Sequence, residues 1–369
     1  IAKNERKFLP VLALAVAGFI LSHNVIAAIF LPFFLLISLR LIREKLKIIS
    51  AFGLGIIAAS FFWIPAIFDI RFVRLSQIKV SEVADHLVSF QRLFIPQWGY
   101  GPNPNGQDPL PVQIGIVVFF IFLGALYLRF LGKIKDKLVD LGLLIFIVVV
   151  FLMTRASLPI WQFVPAIDVI QFPWRLLSLV VFIAAYLTAT VVNFSRKKEF
   201  MSVLVILAAI VSTITYVKPA SFVERGDGFY ATNEDSTTVR DEYLPLWAGE
   251  KPKQRADYKI EILEGIAKID NPKIRPTKYQ ATIDVEEESR LQINTVYFPG
   301  WQVIADNQKV KIDYQNQFGL IQFKLPKGKY EVIISYGKTP VHLASEMVSL
   351  AAIITAGVLV FREWQNRNS

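Results

Sequence analysis

Eight apolar runs alternate with short polar connectors along the chain, at about residues 8–22, 25–42, 48–68, 112–130, 139–153, 175–194, 200–217 and 341–361. Uninterrupted apolar stretches of this kind predict membrane helices. Between the seventh and eighth runs the period changes. Tyr258, Ile260 and Ile262 alternate with charged residues, as do Tyr279, Ala281, Ile283 and Val285. Leu291, Ile293, Thr295 and Tyr297 continue the pattern, followed by Trp301 and Val303, Val310 and Ile312, Ile321, Phe323 and Leu325, then Tyr330, Val332, Ile334 and Tyr336. Period-two runs bounded by Asn271-Pro272, Pro299-Gly300, Asp306-Asn307 and Pro326–Gly328 predict seven or eight short antiparallel strands, hence a small β-sandwich. The predicted fold is therefore a polytopic α-helical membrane domain of about eight spans plus a small extracytoplasmic β-sandwich. Its parts are a transmembrane domain at 1–217, the sandwich at 218–340, and a last transmembrane helix with a cytoplasmic tail at 341–369.

Composition strengthens the membrane reading. Apolar residues make up 54% of the 369 and charged residues only 19%, below the roughly 25% of soluble domains. No Cys is present, so a disulfide framework, a thiolate metal site and a cysteine nucleophile are excluded. The net charge of +10 raises the question of nucleic acid until it is located. The stub before residue 8, Arg40–Lys47, Arg129–Asp140, Arg196–Glu199 and the tail after Phe361 together hold 16 Lys and Arg against 6 Asp and Glu. Segment 218–340 holds 18 of each sign. All the excess therefore falls on alternate connectors, which the positive-inside rule assigns to the cytoplasm. Both ends of the chain are then cytoplasmic and 218–340 is outside. No loop couples a large basic patch to interleaved aromatics, so nucleic acid is not an expected partner.

Two runs are short for a span. Residues 8–22 would rise only about 22 Å against a hydrocarbon core of about 30 Å, and 139–153 is similar. Pro159, Pro165 and Pro173 follow the latter, so 154–174 is expected to be interfacial or re-entrant, with Trp161 and Trp174 at headgroup depth. The chain opens on Ile1, without Met, and on Lys3, Arg6 and Lys7. The expectation is that an N-terminal part of a longer protein precedes it.

The candidate chemistry collects on the predicted outer side. Ser22-His23-Asn24, between the first two runs, offers polar groups to a phosphate or sugar, or else is an ordinary Asn turn. Arg175, after Phe172-Pro173-Trp174, is a forked cationic donor suited to a phosphate, with an interfacial anchor as the plainer alternative. The outer loop 69–111 contains Trp98-Gly-Tyr100-Gly, whose rings suit a sugar face. No Gly-Lys-Ser/Thr follows it, which excludes a P-loop. Glu82, Asp85 and His86 upstream have general-base character without a specific spacing. Tyr297 and Trp301, at a strand corner, are carbohydrate-contact candidates or core aromatics. No metal site is evident.

In order, these motifs resemble a known group. Leu21–Asn24, Trp98-Gly-Tyr-Gly, Ser157–Trp161, Gln171–Arg175, Glu242–Pro245 and Tyr297–Trp301 resemble bacterial membrane proteins described as 6-pyruvoyl-tetrahydropterin synthase-related. Those are similar to YfhO-like proteins and to glycosyltransferases of the GT-C fold. The resemblance implies transfer of a sugar from a polyprenyl-phosphate donor to an envelope glycan or protein at the outer face of the cell membrane. It also implies that the acidic catalytic residues lie in a first outer loop ahead of Ile1. A divalent metal would enter only if that part supplied the ligands. Pterin-synthase chemistry is not implied by the residues present, because His23, His86 and His342 lie in separate elements. The rival from another class is a non-enzymatic, membrane-anchored carbohydrate- or envelope-binding protein. A transporter is disfavoured by the scarcity of charged residues deep in the runs.

Overall fold

The structure is a computed structural model. It describes residues 9–368, apart from 79–80, 95–111, 165–169, 218, 220–221, 223, 233–240, 253 and 255. The helices are α1 (Leu9–Ser22), α2 (Asn24–Leu41), α3 (Lys45–Ala58), α4 (Ser60–Asp69), α5 (Val83–His86), α6 (Ile116–Phe130), α7 (Lys137–Leu152), α8 (Leu158–Phe163), α9 (Leu177–Asn193), α10 (Lys198–Thr213), α11 (Asp227–Thr232) and α12 (Pro340–Asn368). Among the described residues, three helical stretches are long and apolar enough to cross a membrane: Asn24–Leu41, Pro173–Asn193 and Pro340–Arg362. A fourth arises if α3 and α4, bent by 62° at their junction, count as one broken span. This corrects the expected eight. The physical reason is length, since α1, α6, α7 and α10 have 14, 15, 16 and 16 residues. They rise only about 21–24 Å, short of the hydrocarbon thickness of about 30 Å.

The chain forms two compact units, each discontinuous in sequence. The first comprises residues 1–53 and 81–226. Its core is apolar and rich in Phe. Phe30, Phe33 and Phe34 of α2 meet Phe182 of α9 at 5.6–5.8 Å between ring centres. Gly142 on α7 lies against Ile183 and Leu187 of α9, so α7 and α9 approach closely there. Local hydrogen bonds finish the helix ends. His23 Nδ1 accepts from the Ile26 amide at the start of α2, and Asp136 accepts from the Leu138 amide at the start of α7. Segment 154–174 is irregular where described, made of short helical turns around α8. Trp161 differs from expectation. It is 3% exposed, and its indole N–H donates to Leu152 O at 2.9 Å and to Ser157 Oγ at 3.1 Å. It fills the core and does not anchor at an interface.

The second unit comprises residues 54–80 and 227–369. Its β-domain has strands β1 (Ile260–Glu264), β2 (Ala267–Arg275), β3 (Lys278–Val285), β4 (Ser289–Val296), β5 (Trp301–Ala305), β6 (Gln308–Val310), β7 (Leu320–Leu325) and β8 (Gly328–Tyr336). They form two antiparallel sheets, β1-β4-β7 and β2-β3-β8-β5-β6. The alternating residues read from the sequence supply the core: Ile283, Leu291, Ile293, Val303, Ile321 and Ile334 are fully buried. Asp306 and Asn307 both take positive φ, 45° and 65°, in the two-residue turn joining β5 to β6. Asn271-Pro272 is not the expected turn. It is a bulge inside β2, where register slips between Asp270 and Lys273. Pro fits because β2 is an edge strand, where its missing N–H costs no ladder bond.

Alongside the sandwich, α4 packs on α12. Small residues line the seam, with Ala58, Ala59, Ala352 and Ala356 all at most 4% exposed. Ser60 Oγ donates to Ser345 O at 3.1 Å, and Ser349 Oγ donates to Ala58 O. Beyond α4, residues 72–75 clip onto 242–246: the Arg74 amide bonds Leu244 O at 3.0 Å, and the Leu75 amide bonds Glu242 O at 2.8 Å. The Glu242–Pro245 motif thus serves as a docking strip. Two substitutions test the sandwich by denaturation of the purified chain. Phe323→Ala, at a side chain 1% exposed, is expected to cost about 3–5 kcal/mol. Gly265→Ala is expected to be poorly tolerated, because φ there is +86° and an added Cβ would meet Glu288 O at 2.4 Å.

Candidate functional site

The first unit brings together two motifs that lie some 90 residues apart in sequence. The four-residue helix α5 begins after Glu82 and ends on His86. Glu82 and Asp85 are exposed, and His86 is half-buried. Ser81 Oγ hydrogen-bonds His86 Nε2. On its other side the imidazole meets the Phe172 ring edge-on, with centres 4.8 Å apart. Phe172 stacks on Trp174 at 5.3 Å. The Arg175 guanidinium lies 4.8 Å from the centre of the Phe172 ring, a cation–π distance. Its Nη1 donates to Ile170 O at 2.8 Å and to Gln171 Oε1 at 3.3 Å. Its other N–H groups have no partner among the described residues. Gln171 sits at φ +58°, a left-handed conformation uncommon outside Gly and costing about 1–2 kcal/mol. The Trp174 indole N–H is buried without a described partner.

A second arginine joins this rim from the far end of α7. The Val88 amide bonds Met153 O at 3.1 Å, and the Arg155 amide bonds Val88 O at 3.0 Å. This backbone stitch sets Arg155 beside Leu87, the neighbour of His86, and Arg155 Nε reaches Leu87 O at 3.4 Å. Its terminal nitrogens are without a hydrogen bond among the described residues. Below Arg155 opens a groove of about 480 Å³. Phe90, Phe94, Phe119, Phe122, Phe146 and Phe151 wall it, and Ser89, Thr154 and Arg155 are also among its lining residues. Phe122 stacks on Phe146 at 4.5 Å, and Phe94 meets Phe119 at 4.8 Å. Chemically, the groove is apolar enough to suit an apolar chain, and a guanidinium suits an anion. Sequence reasoning missed Arg155, although the signal that singled out Arg175, a lone cation on a side poor in positive charge, applies equally to it.

The remaining sequence candidates lie elsewhere. Ser22, His23 and Asn24 are exposed and bonded locally: Ser22 Oγ donates to Phe19 O at 2.7 Å, while His23 caps α2. No hydrogen bond or ring contact joins them to the rim among the described residues. Trp98 and Tyr100 lie outside the described residues. In the second unit, Tyr297 stacks face to face on Tyr314 at 4.2 Å, next to Trp247 at 5.7 Å. Burial holds its phenol above the ordinary range. Trp301 lies flat on Tyr279 at 5.4 Å and meets Tyr336 edge-on. Both rings are committed to protein contacts, as corner aromatics commonly are.

The second unit also holds a pair that sequence reasoning did not join. His342 Nε2 lies 3.5 Å from Asp69 Oδ2, and its Nδ1 is 2.6 Å from Thr339 Oγ1. The pair ties the end of α4 to the first turn of α12. Asp69 Oδ1 is buried with no described partner. Burial, with the Asp69 charge adding to it, holds the nearby Tyr336 phenol above its usual range. Among the described residues no group of three His, Asp or Glu is placed to hold a metal ion.

Comparison with protein-family profiles, with curated proteins and with solved structures found no match for this chain.

Removing the carboxylate in Asp69→Ala is expected to lower stability by about 1 kcal/mol, the usual worth of one partly buried polar contact. His342→Ala should have a similar effect. The double variant should be no worse than the more harmful single one, because the two residues share one interaction. Thermal unfolding of the three purified variants reads this directly, and additive losses would show that the pair is not coupled.

Proposed function

We propose that this chain acts as a GT-C-like membrane glycosyltransferase, drawing its sugar from a polyprenyl-phosphate carrier at the outer face of the cell membrane. The observation that carries the reading is the phenylalanine-walled groove lined by Arg155, in the same unit where Arg175 and His86 share the Phe172 ring. An isoprenoid chain is apolar and unsaturated, which suits stacked aromatic walls. Its phosphate suits guanidinium groups with N–H donors to spare.

In this proposal the apolar helices form a multi-pass domain with both chain ends cytoplasmic and 218–340 outside, a topology that the charge bias supports. Glu82 and Asp85, just before His86, are the carboxylates nearest the rim in sequence and the first candidates to activate an acceptor hydroxyl. The two guanidiniums would stabilise the charge that develops on the departing polyprenyl phosphate. The acceptor in this reading is an envelope glycan or protein.

A non-enzymatic envelope-binding protein is the second reading, favoured by an open polar cleft on the β-domain. Retention of polyprenyl phosphate separates the two. The purified chain is equilibrated with vesicles doped with undecaprenyl phosphate, and bound lipid is measured after detergent extraction. Vesicles doped with phosphatidylglycerol provide the comparison. The expected outcome is selective retention of the polyprenyl lipid. Arg155→Ala and Arg175→Ala should each weaken retention at least about tenfold, since a charge-assisted hydrogen bond is worth about 1.5–3 kcal/mol. Equal retention of both lipids, or retention indifferent to both substitutions, would remove the transferase reading.

A further inference from the structure

The β-domain carries a cleft that the aromatic corner at Tyr297 and Trp301 does not explain. It lies on the outward face of the three-stranded sheet, with a volume of about 630 Å³, within the range of about 300–1,000 Å³ typical of small-molecule sites. Because strand residues alternate, the burial of Leu291 and Ile293 in the core turns Gln292 and Asn294 outward into this cleft. The neighbouring strand places Gln322 opposite Gln292. The three amides form a directed chain. Gln322 Nε2 donates to Gln292 Oε1 at 2.7 Å, Gln292 Nε2 to Asn294 Oδ1 at 2.9 Å, and Asn294 Nδ2 to the Tyr258 carbonyl at 2.7 Å. Each amide has two N–H donors and a carbonyl with two lone pairs, so Gln292 and Asn294 still have a donor and an acceptor to offer a ligand. The chain holds those groups in fixed orientation before anything binds.

Beside the amides stands Tyr258, 73% exposed, just ahead of β1. Its hydroxyl has no hydrogen bond among the described residues. An aromatic ring left that open in a polar cleft presents a flat apolar face to whatever enters. Phe318 adds a second apolar wall. The charges flanking Tyr258 are one of each sign, Asp257 and Lys259, and Lys259 Nζ is already bonded to Asn294 O at 2.6 Å. Among the described lining residues the two charges therefore cancel, and polar groups predominate over any apolar pocket for a lipid tail.

One ligand class matches all of this. A neutral sugar presents a patch of C–H groups on one face, suited to an aromatic ring. Around its edge lie vicinal hydroxyls that donate and accept together, which is what a primary amide also does. We infer that the outward face of the β1-β4-β7 sheet is a binding site for a neutral oligosaccharide, with Tyr258 as the stacking platform and Gln292 and Asn294 as the hydroxyl-reading groups. The inference goes beyond the transferase reading and does not rest on it, because it concerns binding by a surface that does no chemistry.

The test uses the full chain, purified in a detergent without a sugar headgroup. Neutral tetrasaccharides built from glucose, galactose, mannose and N-acetylglucosamine are titrated by calorimetry, with a uronic-acid tetrasaccharide alongside. At least one neutral tetrasaccharide is expected to bind more tightly than the acidic one. Tyr258→Ala should weaken that binding at least about tenfold, a loss of about 1.4 kcal/mol. Tyr258→Phe should retain it within about threefold, since the ring remains. Gln292→Ala should weaken it while Tyr258 is intact. The inference is overturned if no neutral member binds, if the acidic one binds best, or if binding survives Tyr258→Ala unchanged. Tyr258 is exposed, so its loss leaves the fold in place, and unchanged unfolding of the variant confirms that. The undecaprenyl phosphate experiment reads a different unit, so either proposal can fail while the other stands.

Discussion

The seam between α4 and α12 is the contact on which the second unit depends. Its helices come from opposite ends of the sequence, with Ser60 and Ser345 bonded across 285 residues. In hydrocarbon, apolar helices gain nothing by leaving lipid for one another, so association must come from close packing and polar bonds. Both are present: four alanines let the backbones approach, and two buried serine hydroxyls donate across the seam, Ser60 to Ser345 O and Ser349 to Ala58 O at the end of α3. A larger side chain at Ala59 or Ala356, both fully buried, would part them. Once the seam closes, Asp69 faces His342, and residues 72–75 come within reach of the strip at 242–246. Trp247 then meets Phe72 and donates its indole N–H to Tyr297 O at 3.1 Å. The sandwich is thus supported through a chain of contacts that starts at a helix pair.

That dependence explains which features the sequence revealed. Strand alternation was legible because a half-buried sheet imposes period two on every strand, and Ile283, Leu291 and Phe323 fell where their neighbours predicted. Edge strand β2 was harder to read. Its burial is slight, so little alternation is imposed, and Asn271-Pro272 resembles a turn until the pairing with β3 is known. Helix length was also obscure. Hydropathy runs through 48–68 without a break, yet the chain bends by 62° between α3 and α4. Apolar composition states what a segment tolerates around it, and it does not state where the hydrogen-bond ladder stops.

The sites follow the same division. His86 and Arg175 could each be singled out by chemistry, as polar groups beside apolar runs. That they share the Phe172 ring could not, because the sharing is made by the tertiary fold. Arg155 could be singled out by the same chemistry, but its place beside Leu87 could not, because the stitch between Val88 and Thr154 leaves no mark in either local sequence. The amide row of the β-domain is a milder case. Gln292 and Asn294 were predictable as outward residues once Leu291 and Ile293 were placed inside, but Gln322 joins them only through the β4–β7 register.

A lipid-linked sugar is itself a molecule of three chemistries: an isoprenoid, a phosphate and a glycan. Surfaces suited to each are present, the first two on one unit and the third on the other. A groove walled by six phenylalanines exposes apolar area that would be better closed. Arg155 stands exposed among its lining residues with N–H groups that no described residue takes up. An exposed tyrosine beside a fixed row of amides spends side-chain entropy on order that the fold does not use. Any one of these could be an accident of a marginal surface. Together they mark two surfaces, one on each unit, where the fold keeps exposed apolar area and ordered polar groups that packing alone does not require.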